Sequence, residues 1–319
     1  MHPIIQVPSD ASDLTEQMGT KPKFWFRDEL NRQCLFKEGR PNTGENWAEK
    51  VCCELCELLG IPHAQYDLAV WRHRSGVVSP TFVPNGGRLI HGNELLARII
   101  EGYEHEKRFS ARQHTVSVVM AIMRGSRPLL VRVPQGPKSV VRPAPIDMPL
   151  GYSAPDAVKT AGGVFVSYLM LDALVGNQDR HHENWGLILS KENAITLAPT
   201  FDHASSLGRN ETDAERVARL TTRDQGRSVE KYAERAKSAF FANPTSEKPL
   251  TTMAAFQEAA KLVPEARDYW LNRLAATGLA DYAGIFDNIP PQEITEPARE
   301  FALKMLEVNR DRLLRSQEA

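Results

Sequence analysis

Apolar positions along this chain change spacing several times, and each change marks an element. Between 161 and 175, positions 165, 168, 169, 171 and 173–175 follow a buried helical pattern that Gly176 stops. An apolar run over 185–189, a turn over 190–193 and a second run over 194–197 predict a hairpin. Nearer the start, 33–37 reads as a strand ending in Lys37. After Asn46 as N-cap, apolar residues at 47, 48, 51, 52, 55, 58 and 59 predict a helix that Gly60 and Pro62 terminate.

Strands over 66–71 and 77–83 complete a small β-rich region, after which Pro84-Asn85-Gly86-Gly87 makes a turn. The remainder predicts mainly helices, over 93–106, around 115–123, and over 155–175, 228–241, 251–262, 265–277 and 295–312. Prolines at 128, 134, 137, 143, 145 and 149 are expected to break regular structure into an extended connection. Residues 1–13 are expected to be loose or a short edge segment.

Length and composition permit two lobes. A chain of 319 residues exceeds the usual single-domain range. Its net charge of −1 gives no general drive toward nucleic acid or membrane. No stretch approaches a membrane span, and the start lacks the pattern of a secretory signal, so a cytoplasmic protein is expected. The four cysteines, 34, 52, 53 and 56, include a Cys53-x-x-Cys56 spacing with His63 downstream. Cys52 and Cys56 fall on the apolar side of a helix, which favours core thiols over a metal site.

The chemistry concentrates in Gly176-Asn177-Gln178-Asp179-Arg180-His181-His182-Glu183-Asn184, followed by Thr200-Phe201-Asp202. Kinase-type phosphoryl transfer needs one carboxylate to orient a hydroxyl, then an amide and a carboxylate to hold Mg²⁺. Asp179, Asn184 and Asp202 supply that set in order. Asp and Asn in loops also serve as turn formers and helix caps; the helix before this loop and the hairpin after it favour the functional reading.

This stretch resembles the catalytic segment of the HipA-like serine/threonine kinases, a toxin-kinase family. Their pattern, Asn-x-Asp-x-His-x-x-Asn followed by Leu-x-Pro-x-(Tyr/Phe)-Asp, is matched by Asn177, Asp179, His181 and Asn184, then by Leu197-Ala198-Pro199-Thr200-Phe201-Asp202. His203-Ala204 follows the last acid, where phosphatidylinositol kinases carry Phe-Gly. Gly19-Thr20-Lys21-Pro22-Lys23 resembles the family's phosphate loop. The resemblance spans roughly residues 15–70 and 160–210.

It implies an α+β, two-lobed protein-kinase-like fold. Residues 1–83 would form a small β-rich nucleotide-binding lobe with one main helix, and 84–319 a larger, mainly helical lobe. It implies ATP and Mg²⁺, with Gly19, Thr20, Lys21, Lys23 and Lys37 around the phosphates and Glu49 fixing Lys37. Glu45 is the other candidate partner for Lys37. Asp179 would act on the acceptor hydroxyl, His181 would support the catalytic loop, and Asn184 and Asp202 would hold the metal.

The implied reaction is transfer of the γ-phosphate of ATP to a serine or threonine of a protein, with a translation component as a target class and an antitoxin as a partner class. Direct nucleic-acid or membrane binding is not expected. A small-molecule or lipid kinase, or an ATP-binding pseudokinase, are the rival readings. Two departures stand out. With fewer than twenty residues before Gly19, the family's additional amino-terminal subdomain, and any antitoxin contact made through it, is not expected here. The family's regulatory serine is expected a few residues before the loop glycine, where this chain reads Leu14-Thr15-Glu16-Gln17-Met18; Thr15 or Thr20 would be its substitute, and self-inhibition by serine phosphorylation is not carried over. The basic run 209–227 lies where kinases place an activation segment, and a solvated helix is its other reading.

Overall fold

The computed structural model describes residues 1–11, 23–125, 129–135 and 138–316; the side chains of 129–135 and 138–144 are outside the description. Gly19, Thr20 and Lys21 therefore lie outside the described residues, as does Thr15.

A five-stranded sheet forms the amino-terminal part. β1 (Ile5–Gln6), β2 (Lys23–Arg27), β3 (Gln33–Glu38), β4 (Asp67–Trp71) and β5 (Arg74–Pro80) are arranged in the order β1-β4-β5-β3-β2. The expected edge segment at the start is β1, which pairs in parallel with β4. Alternation along β2 and β3 turns Phe24, Phe26, Cys34 and Phe36 into one apolar cluster with Trp71 and Val78. Lys37, the neighbour of Phe36, consequently faces the other side of the sheet. Val77 pairs with Lys37 across β3 and β5. At Gly76 a Cβ would stand 2.3 Å from the Lys37 carbonyl oxygen, so this close approach requires glycine.

Helix α1 (Glu45–Leu59) packs on β4 and β5, and its Gly60 cap is left-handed at φ 71°. It begins after Gly44 rather than Asn46, because its first turn is anchored from outside: Gly44 N–H donates to Arg209 O at 2.9 Å. β5 starts three residues before the expected strand. Helix α2 (Gly92–Ile99) follows β6 (Arg88–His91) and stops well short of 106, as Ile100 turns extended and Gly102 takes φ 69°. Helix α3 (Val116–Met123) is capped by the Thr115 hydroxyl.

The proline-punctuated stretch is not an extended connection. β7 (Leu129–Gln135) and β8 (Lys138–Ala144) pair as an antiparallel ribbon, including Pro134 opposite Ser139 and Pro143 opposite Leu130. In a two-stranded ribbon each strand is an edge, so prolines with no N–H to donate are tolerated.

The large core is organised by helix α4 (Ala161–Val175), all of whose residues are buried. A helix that is apolar all round must be wrapped. α3, α7 (Thr252–Leu262), α8 (Pro264–Ala275) and α10 (Glu296–Arg315) pack around it. A second sheet, in the order β6-β10-β11-β9, places β10 (Gly186–Leu189) and β11 (Ile195–Leu197) between β6 and β9 (Ile146–Asp147).

Helix α5 (Asp213–Thr221) occupies part of the basic run. α6 (Val229–Glu234) ends before 241, because Ser238, Phe240 and Phe241 make backbone bonds to Leu250 and His114 instead of continuing the helix. α9 (Leu279–Asp287) was not expected from the sequence. Among the described residues no helix is long and apolar enough to cross a membrane.

Candidate active site

The candidate loop begins where α4 ends. Gly176 at φ 65° closes the helix, and Asn177 then hydrogen-bonds backward and forward. Its Nδ2 donates to Asp172 Oδ1 at 2.8 Å, and its Oδ1 accepts from the Asp179 amide at 3.0 Å. Arg180 turns inward and forks onto Asp172, with Nε and Nη2 each 2.8 Å from a carboxylate oxygen. The two side chains are 1% and 4% exposed, so this is a buried ion pair with bidentate geometry. Arg180 Nη1 donates to the Asn184 carbonyl at 2.9 Å and faces that of Phe201 at 3.5 Å. One guanidinium therefore ties the loop bearing Asp179 to the segment bearing Asp202.

Asp179 and Asn184 meet within the loop: Asn184 Nδ2 donates to the Asp179 carbonyl oxygen at 2.7 Å. With its amide nitrogen so engaged, the Asn184 Oδ1 is the oxygen left to meet a cation. His181 Nε2 stands 3.4 Å from Asp179 Oδ1. The other ring nitrogen, Nδ1, accepts from the Glu183 amide at 3.1 Å. Burial, against the opposing pull of Glu183 and Asp202, pushes the His181 pKa down to about 4. The ring is then neutral near pH 7, and its proton sits on Nε2, facing Asp179.

Asp202 follows β11 in a left-handed conformation, φ 60°, uncommon for a residue with a side chain. Its amide donates to the Tyr66 hydroxyl at 3.2 Å. Its Oδ1 lies 2.7 Å from Lys37 Nζ, while Glu49 Oε2 lies 3.8 Å from the same ammonium. Burial alone would lower the Lys37 pKa; Asp202, Tyr66 and Glu49 outweigh it and hold it well above the ordinary lysine value.

Glu49 is fully buried. Its Oε1 accepts the His203 amide at 2.7 Å, whereas Oε2 makes no hydrogen bond among the described residues and lies 3.8 Å from Lys37 Nζ. Glu45, the other candidate for Lys37, pairs instead with Arg40 and Arg209. Lys23 is opposite Lys37 across β2 and β3, and its pKa is lowered, first by burial and then by Lys37.

The structure thus brings Lys37, Glu49 and Asp202 together as one group and Asp179, His181 and Asn184 as another, with Arg180 between them. The residues fit a nucleotide with a divalent metal. Lys37 faces Asp202, with Lys23 opposite it across the strand pair, and an amide oxygen and an acid suit a hard cation whose remaining ligands are phosphate oxygens and water. No group of three or more His, Cys, Asp or Glu side chains able to hold a metal occurs among the described residues. All four cysteines are free and buried. Phe82, just before the Pro84–Gly87 turn, stacks on Phe201 with centroids 5.6 Å apart.

Sequence reasoning did not single out Asp172, Tyr66, Ser205 or Arg108. Asp172 had a signal, as the lone acid of a helix otherwise without charge. Arg108 pairs with Glu183 at 2.8 Å from an element distant in sequence, which no local pattern announces.

Comparison with known proteins bears on the family likeness and the fold. Residues 148–267 match the family model of the HipA-like C-terminal domain, a span that contains Asp179, His181, Asn184 and Asp202. No match was found among curated protein sequences. The Helicobacter pylori proinflammatory kinase CtkA superposes with a TM-score of 0.65 at 18% identity, over 94% of this chain and 94% of its own. HipA of Shewanella oneidensis MR-1, solved with HipB and operator DNA, superposes with a TM-score of 0.53 at 13% identity. That match covers 94% of this chain and 65% of HipA, so this chain spans just under two thirds of HipA's length. Residues 148–267 are therefore similar to the HipA-like C-terminal domain, and the chain as a whole has an α+β fold similar to those of CtkA and HipA.

Proposed function

We propose that this protein is an ATP-dependent kinase that phosphorylates a serine or threonine hydroxyl of a protein. The observation that carries the reading is the convergence of Lys37, Glu49 and Asp202, from a strand, a helix and a post-hairpin turn, next to a loop that holds Asp179 and Asn184. Residues 1–83 are assigned to the nucleotide lobe and 84–319 to the catalytic lobe.

Asn184 and Asp202 would hold Mg²⁺. Lys37 and Lys23 would meet phosphate oxygens, and the described residues leave Gly19, Thr20 and Lys21 to the phosphate loop by resemblance alone. Bound Mg·ATP supplies the γ-phosphoryl group and neutralises charge that develops on it. The chain's own part is positioning. Glu49 is buried and fixed by the His203 amide, so it presents a stationary carboxylate to Lys37. Lys37 keeps its proton and therefore its charge, because the surrounding acids hold its pKa high. Asp179 orients the acceptor hydroxyl and takes its proton at a carboxylate oxygen. His181, neutral with Nε2–H toward Asp179 Oδ1, keeps that carboxylate in place.

HipA was solved with HipB and operator DNA; an antitoxin partner and a translation-component target for this chain are proposals that rest on family likeness. Incubation with Mg²⁺, γ-labelled ATP and host lysate tests the reading. Label on serine or threonine of a protein supports it. Label confined to a lipid or metabolite replaces it with a small-molecule kinase. ATP binding without any transfer makes the chain a pseudokinase.

A further inference from the structure

A line of side chains runs from the first residue of α1 to Asp179. The buried Glu45 carboxylate holds Arg209 at Oε1, which also accepts from Arg40 Nη1 at 3.0 Å, while Oε2 accepts from the Arg40 amide at 3.0 Å. Arg209 Nη2 donates to Ser205 Oγ at 2.9 Å. Ser205 Oγ lies 3.2 Å from Asp179 Oδ2. The direction of the last bond is fixed by elimination. Arginine has donors and no acceptor, so Ser205 must accept from Arg209. A hydroxyl has one proton, and a carboxylate can only accept, so that proton points at Asp179.

The backbone holds the same alignment. Gln178 N–H donates to Ser205 O at 3.3 Å and Leu207 N–H to Val175 O at 2.9 Å, laying 205–207 alongside the start of the loop. Positive φ at Asp202, Leu207 and Gly208 folds the segment back to allow it. Asp179 thus has a donor at each oxygen, His181 at Oδ1 and Ser205 at Oδ2.

We propose that Ser205 is a positioning residue for Asp179, held in turn by Arg209 and Glu45, so that the seating of α1 and the orientation of the catalytic carboxylate are set together. The proposal rests on the kinase reading of Asp179. It concerns the acceptor side of the reaction, because none of the described contacts of Ser205 or Arg209 is to Lys37, Asn184 or Asp202.

Ser205→Ala, Ser205→Thr and Arg209→Ala test it. Ser205→Ala is expected to lower kcat on the order of 10-fold, the scale of a slightly misplaced reacting group, with KM for ATP changed by less than about twofold. Ser205→Thr keeps the hydroxyl and should recover most of kcat. Arg209→Ala should lower kcat in the same direction by less. In the nucleotide-free protein, amide exchange over 177–184 should quicken in Ser205→Ala and return toward parental rates in Ser205→Thr.

A Ser205→Ala protein with parental kcat and parental loop exchange overturns the proposal. So does a loss that Ser205→Thr fails to recover, which would mean that packing and not the hydroxyl matters. A parent protein that transfers no phosphate sinks the kinase reading instead, and the loop exchange then decides the contact by itself.

Discussion

Asp172 and Arg180 form a bidentate ion pair in the core, beneath the loop that carries Asp179 and Asn184. Such a pair is worth little over a well-packed apolar replacement, but halving it leaves one uncompensated buried charge. Its use here is geometric: Arg180 also holds the Asn184 carbonyl and faces that of Phe201, so the pair sets the spacing of the two candidate segments. Asp172→Ala is expected to cost about 3–5 kcal/mol of stability, read as a lowered urea midpoint. An unchanged midpoint would show that the guanidinium finds another partner and that the pair does not hold the loop.

Lys37 touches Asp202 more closely than Glu49, yet Glu49 is the buried and better-fixed acid. If the lysine and glutamate act as a unit, their losses will not add. Lys37→Ala should reduce transfer chiefly through nucleotide positioning, and Glu49→Ala should give a related, smaller defect. In the double variant the loss should approach that of Lys37→Ala alone; fully multiplicative losses would show that the two act independently.

A pH dependence follows from the histidines behind the loop. His114 accepts from Trp185 Nε1 at 3.0 Å through Nε2, so its proton is on Nδ1, directed at Ala239 O. Burial pushes its pKa down from 6.5 to about 3, with His182 and His181 acting in the same direction. Above pH 6.5 the ring is neutral in both folded and unfolded chains. Below it the unfolded chain takes up a proton that the folded chain refuses, so stability falls as pH drops from 6.5 toward 3. His181, at about 4, adds to the slope over 6.5 to 4. His114→Gln should flatten the slope by on the order of 1 kcal/mol per pH unit in urea titrations between pH 6 and 4. An unaltered slope would remove His114 from the account.

The sequence made the candidate loop legible because its chemistry is local: Asp179, His181 and Asn184 lie within six consecutive residues, between an apolar helix and a hairpin. Lys37 was readable as a strand residue, although β3 runs one residue further to Glu38, and Glu49 as an acid at the edge of a helical stripe. The contacts that set the geometry were less so. Glu45 meets Arg209 across 164 positions and Ser205 meets Asp179 across 26. Both depend on left-handed conformations at Asp202 and Leu207, neither of them a glycine.

Asp172 showed its position but not its partner. The β7–β8 ribbon was hidden by prolines that a central strand would forbid and an edge strand accepts. Helix ends at Ile99 and Glu234 were set by tertiary hydrogen bonds and a downstream glycine, and the apolar period ran past both.

Asp179→Asn tests the central claim most directly, because it keeps size and hydrogen bonding while removing the carboxylate's charge and basicity. ATP affinity is measured by equilibrium binding, and transfer by γ-labelled ATP with the protein acceptor found in lysate. The account predicts near-parental ATP affinity with transfer lowered by roughly 10²-fold or more, the scale of lost general-base assistance. Transfer at the parental rate would contradict it, and joint loss of ATP binding and transfer would move Asp179 to the metal.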